Sequence, residues 1–282
     1  MELITKEYVS THLPERSPMG HKGTFGKVYV LGGCTGYTGA PVYAGEAAMR
    51  TGSGLVYVGV PGEIYPIIAA RCESAMAQPW PDYEELLKRM QSCGAILLGP
   101  GLGQAEKTSQ LVRDLLKELT VPVVLDADGI NAVSTHMDVL ENRRGITVLT
   151  PHEGEFARLD PTFVPGKDGP YRARAAADFV RQYGCTLVLK GPGTIAAAPG
   201  GPPLRNSTGG SGLAKGGSGD ILAGMILSLL GQGASPGDAA ACAVWLHGRA
   251  GDLAERELTA YAMTPADLLG WLPAAFKDLE EL

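Results

Sequence analysis

One segment, residues 206–224 (NSTGGSGLAKGGSGDILAG), concentrates what is needed to hold an anion and move a proton. Gly216, Gly217, Ser218 and Gly219 lead into Asp220, and a helical pattern runs from Ile221 onward. The first turn of a helix leaves amide N–H groups unpaired, and the macrodipole makes that end partly positive. Glycines let successive amides converge on one anion. A carboxylate beside such a hole can take a proton from a hydroxyl while the amides neutralise a phosphoryl group. The plainer alternative makes Asp220 a helix N-cap. A cap alone has no need of so many flanking glycines.

Four other segments place glycine or charge in the same way: GPGLG at 99–103, DAD at 126–128, TPHEGE at 150–155 and KGPGT at 190–194. Each follows an apolar run that reads as a strand, at 94–98, 121–125, 146–149 and 186–190. Further strands are predicted at 27–32 and 54–60. Helices are predicted at 41–51, 82–91, 105–118, 171–183, 218–230 and 236–255. Uninterrupted apolar runs of this length, separated by helices, are the mark of parallel strands buried on both faces. The expectation is therefore an α/β three-layer sandwich with a mostly parallel sheet, built as one domain over residues 1–282. In such sheets ligands bind beyond the carboxyl ends of the strands, where these segments fall. The pattern is neither a Walker loop, whose G-x-x-x-x-G-K-[ST] is absent, nor a dinucleotide fingerprint, since Gly99, Gly101 and Gly103 lack the later register.

Composition narrows the class. The net charge of −6 over 282 residues supplies no basic face, so nucleic acid and membrane surfaces are not expected partners. The five cysteines have no metal-type spacing and read as reduced thiols. The start carries acidic residues where a secretory signal needs basic ones, and the longest apolar stretch, 221–230, is too short for a bilayer. A cytoplasmic protein is expected.

The GGSGD segment resembles the anion-hole signature of ribokinase-like enzymes. HKGTFGK at 21–27, the Gly39-Ala40 step, RTGSGLV at 50–56, LGPGLG at 98–103, LDADGIN at 125–131, LTPHEGE at 149–155 and LKG at 189–191 narrow this, in order, to a resemblance to the ADP/ATP-dependent NAD(P)H-hydrate dehydratase family. That resemblance implies a ribokinase-like fold and a repair reaction. The S form of 6-hydroxylated NADH or NADPH (NADHX, NADPHX) is phosphorylated by ADP, phosphate leaves, and NAD(P)H returns with AMP. It implies magnesium with ADP or ATP, a homotetramer, and a separate epimerase protein for the other hydrate isomer. It also implies roles: Asp220 as base on the hydroxyl; Gly217, Ser218 and Gly219 as anion hole; Lys190, Gly191, Pro192, Gly193, Thr194 and again Gly219 on the nucleotide; Ala40, Gly103, His152 and Asp220 on the hydrate; and Glu155 organising magnesium through water. One departure is Gly210, where the family often has asparagine. Residues 160–170 are assigned nothing.

Other residues read more plainly. His152 alone could be a hydrogen-bonded residue at a strand end, and His247, mid-helix, a packed histidine of the core or an interface. Trp80, Trp245 and Trp271 read as packing. Asp126 and Asp128 are left open between a cap with a strand-end acid and metal ligands. Two rivals compete with the dehydratase: a ribokinase-like ATP-dependent kinase of a small vitamin-type alcohol, and a silent nucleotide sensor, against which an intact Asp220 argues.

Overall fold

The structure is a computed structural model that describes residues 1–280. Ten strands form one sheet: β1 (Glu2–Ile4), β2 (Lys27–Leu31), β3 (Leu55–Val60), β4 (Met76–Pro79), β5 (Ala95–Leu98), β6 (Val123–Leu125), β7 (Thr147–Leu149), β8 (Thr186–Leu189), β9 (Ile195–Ala197) and β10 (Leu204–Asn206). Their order is β1-β10-β9-β8-β7-β6-β5-β2-β3-β4. All neighbours are parallel except the two pairs made by β9, which runs against β8 and β10. The chain leaves β2 for β3 on one side and returns to β5 on the other, so the strand order switches between β2 and β5. That crevice is where doubly wound sheets hold ligands.

Helices cover both faces. Side chains alternate along each strand: Val28 and Val30 join the core under the helices Gly39–Arg50, Ser218–Gly231 and Pro236–Ala262, whereas Tyr29 and Leu31 join the opposite core with Leu115 and Phe179. Burying a Val, Leu or Ile side chain is worth roughly 1.5–3 kcal/mol, so two cores of this size fix both the layers and the register. The helix Ser218–Gly231 is buried almost all round. Its apolar sequence reflects a place between the sheet, the helix Gly39–Arg50 and the helix Pro236–Ala262. Among the described residues no helix is long and apolar enough to cross a membrane, and all five cysteines are unpaired.

The predicted strands and helices are all present with ends moved by a few residues. The largest extension is the last predicted helix, which continues to Ala262 across a kink at Thr259. Strand-like Leu204-Arg205 is found in β10; elements without a sequence expectation are mostly short: β1 and β9 have three residues each, and the edge strand β4 (MAQP) is only partly buried. The helix Pro265–Glu280 also had none, and it packs Leu268, Leu272 and Ala275 against the first core.

Ala127, between the two aspartates after β6, takes φ 48° and ψ −115°, a region that residues with a Cβ rarely occupy. Such strain persists where surroundings over-determine it and clusters at functional sites. Ala127→Gly should therefore hold or raise stability by about 1 kcal/mol, whereas the same change inside a helix lowers it by about that much. Urea unfolding of the variant checks this.

Candidate active site

The carboxyl ends of β2, β5, β6, β7 and β8 lie side by side, and the segments singled out above meet there. After β2 the loop 32–38 reaches the loop after β5 through a Gly33 N–H donating to Pro100 O at 2.9 Å. The Gly103 amide donates to Asp128 Oδ2 at 2.8 Å, which ties the loop after β5 to the one after β6. Ala40, in the first turn of Gly39–Arg50, lies against Gly101. Ala40 and Gly103 thus flank the β2–β5 crevice.

Asp220 is the third residue of its helix, not the cap. The cap position is Gly217 at φ 109°, and no side chain caps that end. The helix start is therefore left with unpaired amides, as an anion hole requires. One amide is already engaged: Ser218 N–H donates to Lys215 O at 3.2 Å. A Cβ on Gly219 would stand 3.2 Å from Lys190 Nζ, so the lysine ammonium faces the same helix start. Burial raises the Asp220 carboxyl to about 7, helped by the negative charge of Asp126 and, less, of Asp128 and Glu155; Lys190 opposes the rise. A carboxyl poised there can take up a proton and release it near neutral pH.

Asp126 is 2% exposed, and its Oδ1 accepts from Lys190 Nζ at 2.9 Å and from Thr150 Oγ1 at 2.7 Å. Asp128 instead accepts from Gly103 and from Asn131 Nδ2 at 3.2 Å. The two aspartates serve different partners, and among the described residues no three His, Cys, Asp or Glu side chains gather as a metal cage. Asp126 is the strand-end acid, but neither aspartate caps the helix that follows, whose N-cap is Ala127 with no side-chain cap.

His152 is the N-cap of the helix Glu153–Leu159 in a reciprocal capping box. Its Nδ1 accepts from Gly154 N–H and Glu155 N–H, and Glu155 Oε2 accepts from His152 N–H at 2.8 Å. With Nδ1 accepting, the ring proton belongs on Nε2. Nε2 lies 3.6 Å from Glu155 Oε1, too far for a hydrogen bond. The ring is 57% exposed and keeps that edge available to a ligand. Glu155 is buried and committed to this box, with Lys190 Nζ 4.0 Å away.

The turn Lys190–Thr194 is held from below by Arg172, which the sequence did not single out. Its guanidinium donates to Pro192 O at 2.7 Å, Leu189 O at 3.1 Å and Lys190 O at 3.2 Å, and pairs with Glu153 at 3.0 Å. Within the turn, Thr194 Oγ1 donates to Gly191 O at 3.0 Å. The glycine-rich stretch before the anion hole is anchored by the helix Pro236–Ala262: Asp252 accepts from Gly209 N–H and Glu255 from Gly212 N–H, each at 3.1 Å. The Glu255 carboxylate fills the space that a side chain at Gly210 would need.

His247 is buried and donates from Nε2 to Ser218 O at 2.9 Å, so it braces the start of the helix Ser218–Gly231 from the core. Burial lowers its pKa to about 4, against a partial rise from the Ser218 carbonyl. Because the folded value lies below the unfolded value near 6.5, stability is fully present above about pH 6.5 and declines toward pH 4. Wild type should lose about 2 kcal/mol more than His247→Gln between pH 7 and pH 5. Urea unfolding of both proteins at the two pH values measures it.

Comparison with known proteins gives the site its context. The family described as NAD(P)H-hydrate dehydratase matches residues 28–274. The chain belongs to that family. The bifunctional NAD(P)H-hydrate repair enzyme of Moorella thermoacetica is 40% identical over 289 residues, covering 99% of this chain and 54% of that protein. The chain thus spans about half the length of the bifunctional relatives it matches. The ADP-dependent (S)-NAD(P)H-hydrate dehydratase of Bacillus subtilis is 38% identical over 280 residues, covering 98% of both chains. A crystal structure of the Bacillus subtilis ADP/ATP-dependent NAD(P)H-hydrate dehydratase, co-crystallised with ATP and magnesium, superposes with a TM-score of 0.85 at 34% identity, covering 99% of this chain and 98% of that one. The expected ribokinase-like α/β sandwich is therefore the fold of a dehydratase family member.

Proposed function

We propose that this chain is an ADP-dependent (S)-NAD(P)H-hydrate dehydratase that returns NADHX or NADPHX to NAD(P)H. The observation that carries the reading is the pairing of an uncapped helix start at Gly217 with a carboxyl at Asp220 whose proton affinity is tuned near neutrality. Asp220 takes the proton from the hydrate's C6 hydroxyl, and that oxygen attacks the β-phosphorus of ADP. The bond from that phosphorus to the bridging oxygen breaks, and AMP leaves. The amides of Gly217 and Gly219, with Ser218 at the same turn, face the charge that builds on the phosphoryl oxygens. Phosphate then departs from C6, a far better leaving group than hydroxide. The ring nitrogen supplies the electron pair, and loss of the C5 proton restores the dihydronicotinamide.

The remaining residues position the two substrates. Lys190, Gly191, Pro192, Gly193 and Thr194 form the nucleotide turn, which Arg172 stiffens. Ala40, Gly103 and the free Nε2 edge of His152 line the hydrate side. Among the described residues no three His, Cys, Asp or Glu side chains gather to cage magnesium. An ion arriving on the nucleotide phosphates needs few protein ligands; Glu155 would meet it only through water, and no step here is routed through it. Unpaired cysteines and the lack of a membrane-crossing helix among the described residues support a cytoplasmic setting. A homotetramer and a separate epimerase belong to the same proposal, and light scattering tests the first.

Incubation with NADH hydrate, ADP or ATP, and magnesium tests the function. Recovery of NADH absorbance with formation of AMP from ADP, or of ADP from ATP, supports it. A stable phosphorylated product with no recovery would favour the small-molecule kinase instead.

A further inference from the structure

Asp126 enters the chemistry given above only through its charge on Asp220, yet it is among the most buried charges in the protein. It sits at the end of β6, directly after Leu125, with its Oδ1 shared between two donors. Thr150, fully buried at the end of β7, donates one of them and also donates to Leu125 O at 3.2 Å. The other is Lys190 Nζ from the end of β8. Three neighbouring strand ends thus build one side-chain chain, Thr150–Asp126–Lys190, that ends on an ammonium. The lysine side chain keeps 19% exposure, and its Nζ points to where a Cβ of Gly219 would stand, 3.2 Å away. A lysine is a point charge on a flexible stem. Unanchored, it would reach solvent or Asp220, so a buried carboxylate behind it fixes where the charge is delivered.

We propose that Asp126 is a positioning residue for phosphoryl transfer: braced by Thr150, it holds the Lys190 ammonium against the amide-lined helix start so that this charge meets the migrating phosphoryl group. The inference rests on the phosphoryl-transfer reading above. Groups facing the ammonium support the assignment. Burial works against the lysine's charge, but Asp126 and Glu155, with Asp220 behind them, outweigh it and keep the amine protonated. Glu155 cannot replace Asp126, because it lies 4.0 Å off and already accepts from the His152 backbone.

The test is a double-mutant cycle read on NADH recovery from its hydrate with ADP, together with calorimetric ADP binding. Asp126→Asn keeps shape and the Thr150 bond and removes the charge. It should lower kcat on the order of 10–10²-fold, less than losing a whole donor, and leave KM for the hydrate within about twofold. ADP should bind several-fold more weakly. With kcat read at a pH where Asp220 is ionised in every variant, so that the Asp126 charge on Asp220 no longer matters, the same change in the Lys190→Met background should add nothing further, since the remaining effect of Asp126 runs through Lys190. Thr150→Val should move kcat the same way by a smaller factor, and it decides the matter if Asp126→Asn does not fold. Wild-type kcat in folded Asp126→Asn, or losses that multiply in the double variant, overturns the proposal. If wild type fails to regenerate NADH, or Asp220→Asn retains full turnover, the phosphoryl-transfer reading has failed instead. An active wild type, a disabled Asp220→Asn and an unaffected Asp126→Asn would remove this inference alone.

Discussion

Asp220→Asn should reduce kcat on the order of 10²–10⁴-fold while ADP binds with nearly wild-type affinity. The substitution keeps the size of the side chain and the open helix start, so the amides proposed to meet the nucleotide are untouched. What it removes is the negative charge of the carboxylate, and with it acceptance of the hydroxyl proton. Two pH effects distinguish this from a structural defect. In the wild type, kcat/KM should rise with pH through about 7, because burial and the Asp126 charge have lifted Asp220 to that value. The stability sign follows from the same shift. A carboxyl whose folded pKa lies above its unfolded value near 3.8 favours folding least when ionised, so wild-type stability declines as pH rises from about 4 to 7. At pH 8 the asparagine variant avoids that penalty and should be the more stable protein, by as much as about 4 kcal/mol. Loss of turnover with a gain in thermal stability at pH 8, and no such gain at pH 4, is the expected signature. A variant that turns over normally would remove Asp220 from the mechanism.

Much of this site can be read from the chain alone, for a definable reason. Strands buried on both faces leave uninterrupted apolar runs, and whatever follows each run is projected to the same edge of a parallel sheet. GPGLG, DAD, TPHEGE and KGPGT could therefore be placed together before any coordinate was known. What could not be read is how they divide the work. Asp126 and Lys190 are 64 positions apart, and only the β6–β7–β8 adjacency makes them partners. Arg172 lies on an ordinary helical face, and no spacing marks it as the prop of a turn 20 residues on. The strain at Ala127 is a backbone fact with no compositional sign. His152 shows a different limit. Its motif points to ligand contact, and the structure adds a capping box that uses one ring nitrogen and leaves the other. The strands β1 and β9 escaped because each stands without a longer apolar run around it, whereas β6 and β7, equally short, sit inside the runs 121–125 and 146–149.

Gly99→Ala should be the most destabilising single-methyl addition at the site, at roughly 3 kcal/mol or more. Gly99 directly follows β5 and takes φ 132°, where an L side chain is strained whatever the space. Space is also lacking. The added Cβ would overlap the Asp126 carbonyl oxygen, and it would come within 2.6 Å of Gly129 N and 3.0 Å of the Asp126 carbonyl carbon. These are backbone atoms, so no rotamer change relieves the collision. Gly129 N–H donates to that same Asp126 carbonyl at 2.9 Å, so relief on one side breaks the turn that carries Asp126 and Asp128. The damage then propagates by named bonds: Asp128 loses its register with Gly103, and Asp126 loses its line to Lys190. The variant should therefore unfold at lower urea and, where still folded, show reduced ADP-dependent turnover. Gly200→Ala is the matched control. It too has positive φ, but nothing stands within 4 Å of its added Cβ, so only the conformational part of the cost remains. If the two variants lose equal stability, the collision contributes nothing, and the close approach between the loops after β5 and β6 is not what holds this edge of the sheet together.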